Sequence, residues 1–375
     1  MAGKILHYFA GGNTARGFYS LYDSNLKDLT RLFILKGGPG TGKSTLMKKI
    51  ARQWLEKGYN VEYLHCASDN ESIDGVIIPA LKAGIVDGTA PHVIEPKTPG
   101  AVEDYVNLGD AWDSRLLLES KQEIVKLSRE ISHAFAEAYS TYAEALRIHD
   151  EWEKIYMNNI DFEKANNLTS RLIDMFFGTI VLNKKSTVKH RFLGAATPKG
   201  PVDYIQNLTE DIPKRYFIKG RPGSGKSTML KKLAAQAEER GFDVEVYHCG
   251  FDPESLDMVI IREIGISIFD STAPHEYFPS RDGDEIIDMY KAVIAPGTDE
   301  IFADEIERVA KRYKERMSTA ASHLARAKQL NDQLEKIYVK AVDFSVVDDF
   351  AEKIQADFLR QAEHQEEMAN PVLRV

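Results

Sequence analysis

Residues 36–45 read KGGPGTGKST and residues 219–228 read KGRPGSGKST, so one pattern, GxxxxGK[ST], occurs twice in the chain. Each copy follows a short apolar run, residues 32–35 or 216–218, and precedes a segment with helical spacing. That context gives the pattern a physical meaning. Glycines let the backbone curl so that successive N–H groups point inward at phosphate oxygens. A helix that starts directly after the curl adds unpaired N–H donors and a favourable dipole. Gly37, Gly38, Pro39, Gly40, Thr41, Gly42, Lys43, Ser44 and Thr45 are therefore expected to hold the phosphates of a nucleotide. Gly220, Arg221, Pro222, Gly223, Ser224, Gly225, Lys226, Ser227 and Thr228 are expected to do the same in the second copy. Lys43 and Lys226 would reach the β- and γ-phosphates, and Ser44 and Ser227 would ligate Mg²⁺.

The two loops belong to a longer duplication. At a shift of 183 residues, HYFAGGNTARG from His7 lies over HRFLGAATPKG from His190, VEYLHCASDNES over VEVYHCGFDPES, and IVDGTAPH from Ile85 over IFDSTAPH from Ile268. Farther on, EKIYMNNIDF from Glu153 matches EKIYVKAVDF from Glu335 at a shift of 182. The second copy starts near residue 185, with no Gly/Ser linker. Self-similarity over this span means two copies of one structural unit.

Within a unit, strands are expected at 32–35 (216–218) and 61–66 (244–249), with a third ending at Asp87 (Asp270). A helix follows the glycine loop and stops at Gly58 or Gly241, where a left-handed residue suits a helix end. Strands alternating with helices predict α/β units with a parallel sheet flanked by helices. The remainder is helical. Apolar residues step by three and four from Ile124 to Tyr156 and again from Ile306 to Tyr338, one seam per copy. A further helix around 162–177 and 344–359 is expected to pack back on each seam. The division reads as unit 1, residues 1–184, with a helical-hairpin arm at about 113–180, and unit 2, residues 185–375, with an arm at about 298–368. The seam suits intramolecular packing, or else a protein partner on the arms.

Composition narrows the class. The 375 residues are 43% hydrophobic and 28% charged, which fits a globular chain of about two domains. The net charge of -9 gives no electrostatic footprint for duplex nucleic acid. Two cysteines, Cys66 and Cys249, are too few for a disulfide framework, and no CxxC occurs. No stretch has the length or hydropathy of a membrane span, and the first residues lack a signal-peptide core. A cytoplasmic location is the expectation.

Other recurrent residues carry chemistry. Asp87 and Asp270 end apolar strands and suit Mg²⁺ at the carboxyl edge of the sheet. Gly88 and Ser271 follow them, so no glutamate stands next to either aspartate. Asp69, Glu71 and Asp74, matched by Asp252, Glu254 and Asp257, follow the second strand. Asp69, Asp252, Glu71 and Glu254 are candidates to polarise a water or a substrate hydroxyl. Helix N-capping explains them equally well. His92 and His275 close the TAPH segments as possible γ-phosphate sensors or loop-packing residues. Arg16 and Lys199 sit in matching glycine-containing loops and would supply positive charge to a phosphate. His65-Cys66 and His248-Cys249 offer two ligand types but no third, so buried cysteine is the plainer reading.

On the GxxxxGKST loops and the strand-terminal aspartates, the chain resembles the P-loop NTPase superfamily. The paired DGTAPH and DSTAPH segments and helical arms make it similar to a poorly characterised bacterial family of tandem-duplicated, nucleotide-kinase-like ATPases. That resemblance covers essentially the whole chain and implies ATP binding with Mg²⁺ and ATP hydrolysis. No LSGGQ or suitably placed NKxD occurs, which favours ATP over GTP. Three functions follow as expectations: an ATPase coupling hydrolysis to arm movement, a small-molecule or nucleotide kinase, or a nucleotide-gated scaffold with little turnover.

Overall fold

The computed structural model describes residues 2–369; residues 1 and 370–375, the extremities of the two expected repeats, lie outside the described residues. In the first repeat the strands are β1 (Ile5–Tyr8), β2 (Gly11–Thr14), β3 (Gly17–Ser20), β4 (Arg31–Lys36), β5 (Val61–His65), β6 (Ile73–Ile78), β7 (Ala83–Asp87) and β8 (Glu103–Asn107). The second repeat supplies β9 (Val188–Phe192), β10 (Gly194–Thr197), β11 (Gly200–Asp203), β12 (Lys214–Lys219), β13 (Val244–His248), β14 (Leu256–Ile261), β15 (Ile266–Asp270) and β16 (Asp284–Asp288).

Each repeat builds a six-stranded sheet, in the orders β1-β5-β6-β7-β4-β8 and β9-β13-β14-β15-β12-β16. Strand β4 is parallel to both β7 and β8, and β12 to both β15 and β16. The sheets are mixed, which corrects the expectation of a parallel sheet. Strand β6 runs antiparallel to β5 and β7, and β14 does the same between β13 and β15. The cause is local. Only a 3₁₀ turn, Pro79–Leu81 with Lys82 at φ 50, joins β6 to β7, and Arg262–Ile264 with Gly265 at φ 65 joins β14 to β15. A parallel return needs a dozen or more residues, so a connection this short forces a hairpin. The six residues of β6, IDGVII, are all buried, as are those of β14. The hairpins β2–β3 and β10–β11 turn at Gly17 (φ 86) and Gly200 (φ 98).

The seams become two helices of equal length, Lys121–Met157 and Ala303–Val339, followed by Phe162–Phe177 and Phe344–Ala369. The chain packs into two compact units that do not coincide with the sequence repeats. One comprises Leu26–Phe135 with the stretches 2–9 and 324–369; the other comprises Ala10–Asn25 and Ala136–His323. The helical arms expected at 113–180 and 298–368 are thus largely exchanged. In the first unit, Val347, Ile354 and Phe358 of Phe344–Ala369 join the core of Phe33, Leu46, Ile50 and Trp54. In the second, Leu172, Phe176 and Phe177 of Phe162–Phe177 join Ile218, Met229, Leu230 and Leu233. These helices therefore present their main apolar face to the helix after the glycine loop, rather than folding back along their own seam. Fully burying one such phenylalanine contributes roughly 2–3 kcal/mol.

The seam itself packs inside the protein. In the first unit Leu127 meets Leu330 and Leu334. In the second, Glu144 pairs with Arg316 at 3.4 Å and Glu151 with Arg312 at 2.7 Å, so those helical stretches run antiparallel. Among the described residues no helix is long and apolar enough to cross a membrane.

Candidate functional site

The two glycine loops fold alike. Strand β4 delivers the first loop, and the helix Lys43–Glu56 leaves it with Gly42 as N-cap at φ 84 and no side-chain cap. Strand β12 and the helix Lys226–Glu239 repeat this around Gly225 at φ 85. Gly40 (φ 70) and Gly223 (φ 73) hold a second left-handed position in each loop. Non-glycine residues there would be strained. The first-turn N–H groups of both helices have no capping side chain, so they remain donors for an anion.

The lysine of each loop stands against one aspartate. Parallel pairing sets Asp87 level with Leu35 and Asp270 level with Ile218, at the carboxyl edge of the sheets. The Lys43 ammonium donates to the Gly37 and Gly38 carbonyls, both at 2.8 Å, and stands 3.5 Å from Asp87 Oδ2. Lys226 donates to the Arg221 carbonyl at 3.1 Å and stands 3.4 Å from Asp270 Oδ2. Asp87 Oδ1 accepts from the Thr89 N–H and hydroxyl, and Asp270 Oδ1 from those of Thr272. Ser44 Oγ accepts from the Ile73 N–H and Ser227 Oγ from the Leu256 N–H, each at 3.0 Å. That bond ties the start of each helix to β6 or β14.

The acidic residues after the second strand separate into two groups. Asp69 accepts from the Glu71 N–H and the Ser72 hydroxyl in a turn that leads into β6 rather than a helix, so the expected helix cap is absent there, and Asp69 faces Lys328 at 3.4 Å. Asp252 takes the Arg16 guanidinium at 3.0 Å, and Arg16 also reaches the exposed Glu254 at 2.8 Å. Arg16 therefore meets two of the expected carboxylates rather than a bare loop. The Glu71 carbonyl accepts from the Lys48 ammonium, and the Lys199 N–H donates to the Thr197 hydroxyl oxygen. Asp74 and Asp257, the second residues of β6 and β14, are buried. Asp74 lies 3.5 Å from His92 Nε2. Burial, then the Asp270 charge, pushes the Asp257 carboxyl up to about 6.

The two TAPH histidines differ. His275 Nδ1 bonds Asp203 at 2.9 Å, and Tyr277 donates to the same carboxylate at 2.7 Å. Burial opposes protonation of His275, but the Asp203 bond and the Asp257 and Asp270 charges together carry its pKa upward. In the first repeat the positions matching Asp203 and Tyr277 are Ser20 and Ile94. There Asp74, Asp87 and His92 bring their ligand atoms within 4.8 Å of one another.

Arg221 stands where the first loop has Gly38. Its guanidinium bonds Asp299 at 2.7 Å, and Tyr156 donates to the same carboxylate at 2.8 Å. A Cβ on Gly38 would lie 2.9 Å from the Tyr338 ring, which explains the glycine there. The arms also bring acids that the sequence reading did not select. Glu335 borders the first loop, and Glu153 borders the second, where its carboxylate, Asp150 and His149 bring ligand atoms within 4.8 Å of one another. A Cβ on Gly40 would lie 2.9 Å from the Glu335 carbonyl, and one on Gly223 2.5 Å from that of Glu153. Burial, then the Asp150 charge, raises the Glu153 carboxyl, while Lys226 lowers it. The in-register EKIY match was the signal for them. It was spent on the seam because their partners are remote in sequence.

Both cysteines are free. Burial pushes both thiols up, with Asp74 or Asp257 adding to it. His65 Nε2 meets His7 Nδ1 at 2.8 Å, and His248 meets His190 likewise. Among the described residues these His-Cys pairs form no metal-ligand cluster. No family model, curated protein or solved structure matches the chain.

Proposed function

We propose that the protein binds ATP at both glycine loops and hydrolyses it with Mg²⁺, and that it is a tandem P-loop ATPase. The observation that carries this reading is the repeated construction of the loop: two left-handed glycines, an uncapped helix start, and a lysine between loop carbonyls and a strand-terminal aspartate. A triphosphate would draw Lys43 and Lys226 off those carbonyls and onto its own oxygens, while the first-turn amides hold the phosphates. Thr45 and Thr228 lie in the same first turn for the α-phosphate.

The oxygens available fit a hard cation. Ser44 and Ser227 keep a lone pair beside the one that accepts from β6 or β14, and Asp87 and Asp270 keep Oδ2 clear of the threonine donors. One or two protein oxygens beside phosphates suit Mg²⁺, which would neutralise charge on the transferred group. The remaining chemistry belongs to side chains. Asp69 and Asp252 are spoken for by Lys328 and Arg16, so their role is to hold cations at the rim. The arms approach the loops through Glu335 and Glu153, which supports coupling of the nucleotide state to arm position.

Equilibrium binding of a non-hydrolysable ATP analogue to the wild type, Lys43→Ala, Lys226→Ala and the double variant tests the assignment. Two sites in the wild type, one in each single variant and none in the double variant are expected. Unchanged binding in the double variant would overturn the reading. Phosphate release from ATP without an acceptor is expected; ADP formation only with an added acceptor would reassign the reaction to a kinase.

A further inference from the structure

We propose that the first glycine-loop site also takes a divalent transition-metal ion, held by Asp74, Asp87 and His92, and that the matching residues of the second site do not hold one. The proposal goes beyond the Mg²⁺ role above and shares only Asp87 with it. Three protein ligands of two kinds meet there, two carboxylates and one imidazole, with every ligand atom within 4.8 Å of the others. The side chains of Asp74 and His92 are each only 6% exposed, and that of Asp87 13%. An enclosed carboxylate–carboxylate–imidazole set suits Mn²⁺, Fe²⁺ or Zn²⁺, whereas Mg²⁺ prefers oxygen and water.

The second repeat supplies an internal control. Its matching residues are Asp257, Asp270 and His275, yet among the described residues they do not converge into a ligand group. The reason is Asp203, which draws His275 Nδ1 to 2.9 Å while Tyr277 steadies the carboxylate. That bond holds the His275 ring on Asp203, and among the described residues its ligand atoms do not gather with those of Asp257 and Asp270. The first repeat replaces that carboxylate and phenol with Ser20 and Ile94, so His92 keeps company with Asp74 instead. Two pairs of aspartates at matching positions thus meet differently placed imidazoles: His275 bonded to Asp203 in one site, His92 beside Asp74 in the other. The ion would take Asp87 Oδ2, since Thr89 holds Oδ1, and would leave Lys43 to the Gly37 and Gly38 carbonyls it already bonds.

The test is a titration of the metal-free, nucleotide-free full chain with Mn²⁺, read by electron paramagnetic resonance, with Zn²⁺ as competitor. A tight site is expected, displaced by Zn²⁺ and showing nitrogen coupling from an imidazole. His92→Gln should weaken Mn²⁺ at that site at least about tenfold, and His275→Gln and His149→Gln should leave it unchanged, which separates it from the His149, Asp150 and Glu153 group. No tight site, a tight site that His92→Gln does not weaken, or a tight site without nitrogen coupling would overturn the proposal, and the last readout needs no variant. ATP-analogue binding is scored separately. A chain that binds ATP but not nucleotide-free Mn²⁺ sinks this inference alone, and one that binds Mn²⁺ at His92 but no nucleotide sinks the ATPase reading alone.

Discussion

Gly223 shows how a single residue carries both conformation and contact. Its φ of 73 is left-handed, and a Cβ would sit 2.5 Å from the Glu153 carbonyl. Gly100 is also left-handed, at φ 77, but has nothing within 4 Å of the same position. Gly100→Ala should therefore cost about 1–2 kcal/mol from backbone strain alone. Gly223→Ala should cost about 2–4 kcal/mol, because crowding adds to strain. Urea unfolding of the two variants checks this, and equal losses would show that the loop yields to the arm. The buried pair Arg215–Asp284 makes a second test at this scale. Their bond is 2.6 Å, with both side chains nearly inaccessible. The Arg215 hydrogen bond holds the Asp284 carboxyl down at about 2. A depressed carboxylate contributes stability that is full above the ordinary pKa and lost as pH falls through the folded value. Asp284→Asn should cost about 3–5 kcal/mol at pH 7, because it leaves a buried guanidinium unpaired. The gap to the wild type should narrow by about 2 kcal/mol as pH is lowered from 5 toward 2. A gap that stays constant over that range would contradict the assignment.

At the scale of elements, the helix Phe344–Ala369 decides whether the first glycine-loop helix has a covered face. Phe358 is fully buried, with its ring 5.7 Å from Phe33 and 6.5 Å from Trp54. Phe358→Ala should cost about 3–5 kcal/mol. Because Trp54 lies on the helix that starts at Lys43, the same change should weaken nucleotide binding at the first loop more than at the second. Thermal melts beside analogue binding in Lys43→Ala and Lys226→Ala backgrounds separate the two sites. Much at this scale was legible beforehand. Residues 162–177 were read as a helix, and the seams as two long helices, because apolar spacing of three and four survives without tertiary context. Strands β6 and β14 were not read. Continuous burial erases the alternation that marks a strand, and the short turns at 79–82 and 262–265 reverse the direction that alternating α/β elements suggest. Of the site, the loops, Asp87 and Asp270 could be found from pattern. Asp74 and Asp257 could not be singled out, because nothing in a linear motif says which of three neighbouring carboxylates is buried.

For the whole molecule, the decisive feature is that packing units and sequence repeats divide the chain differently. Residues 1–184 expressed alone would carry a loop helix without its covering helix, leaving Leu46, Ile50 and Trp54 without Val347, Ile354 and Phe358. Such a piece should aggregate or pair with a second copy through its own arm. Co-expression with residues 185–375 should restore a one-to-one complex. Size-exclusion chromatography with light scattering checks both outcomes, and a monomeric 1–184 piece with a single cooperative melt would contradict the exchange. The sequence by itself determined the duplication, the two glycine loops, the loop lysines and the helical seams, since each is a local pattern with a local physical cause. Only the tertiary structure decided the sheet direction, the partner of each arm and the contrast between His92 and His275. Those depend on which distant apolar faces and charges meet, and two repeats alike in pattern leave that choice open until the chain is packed.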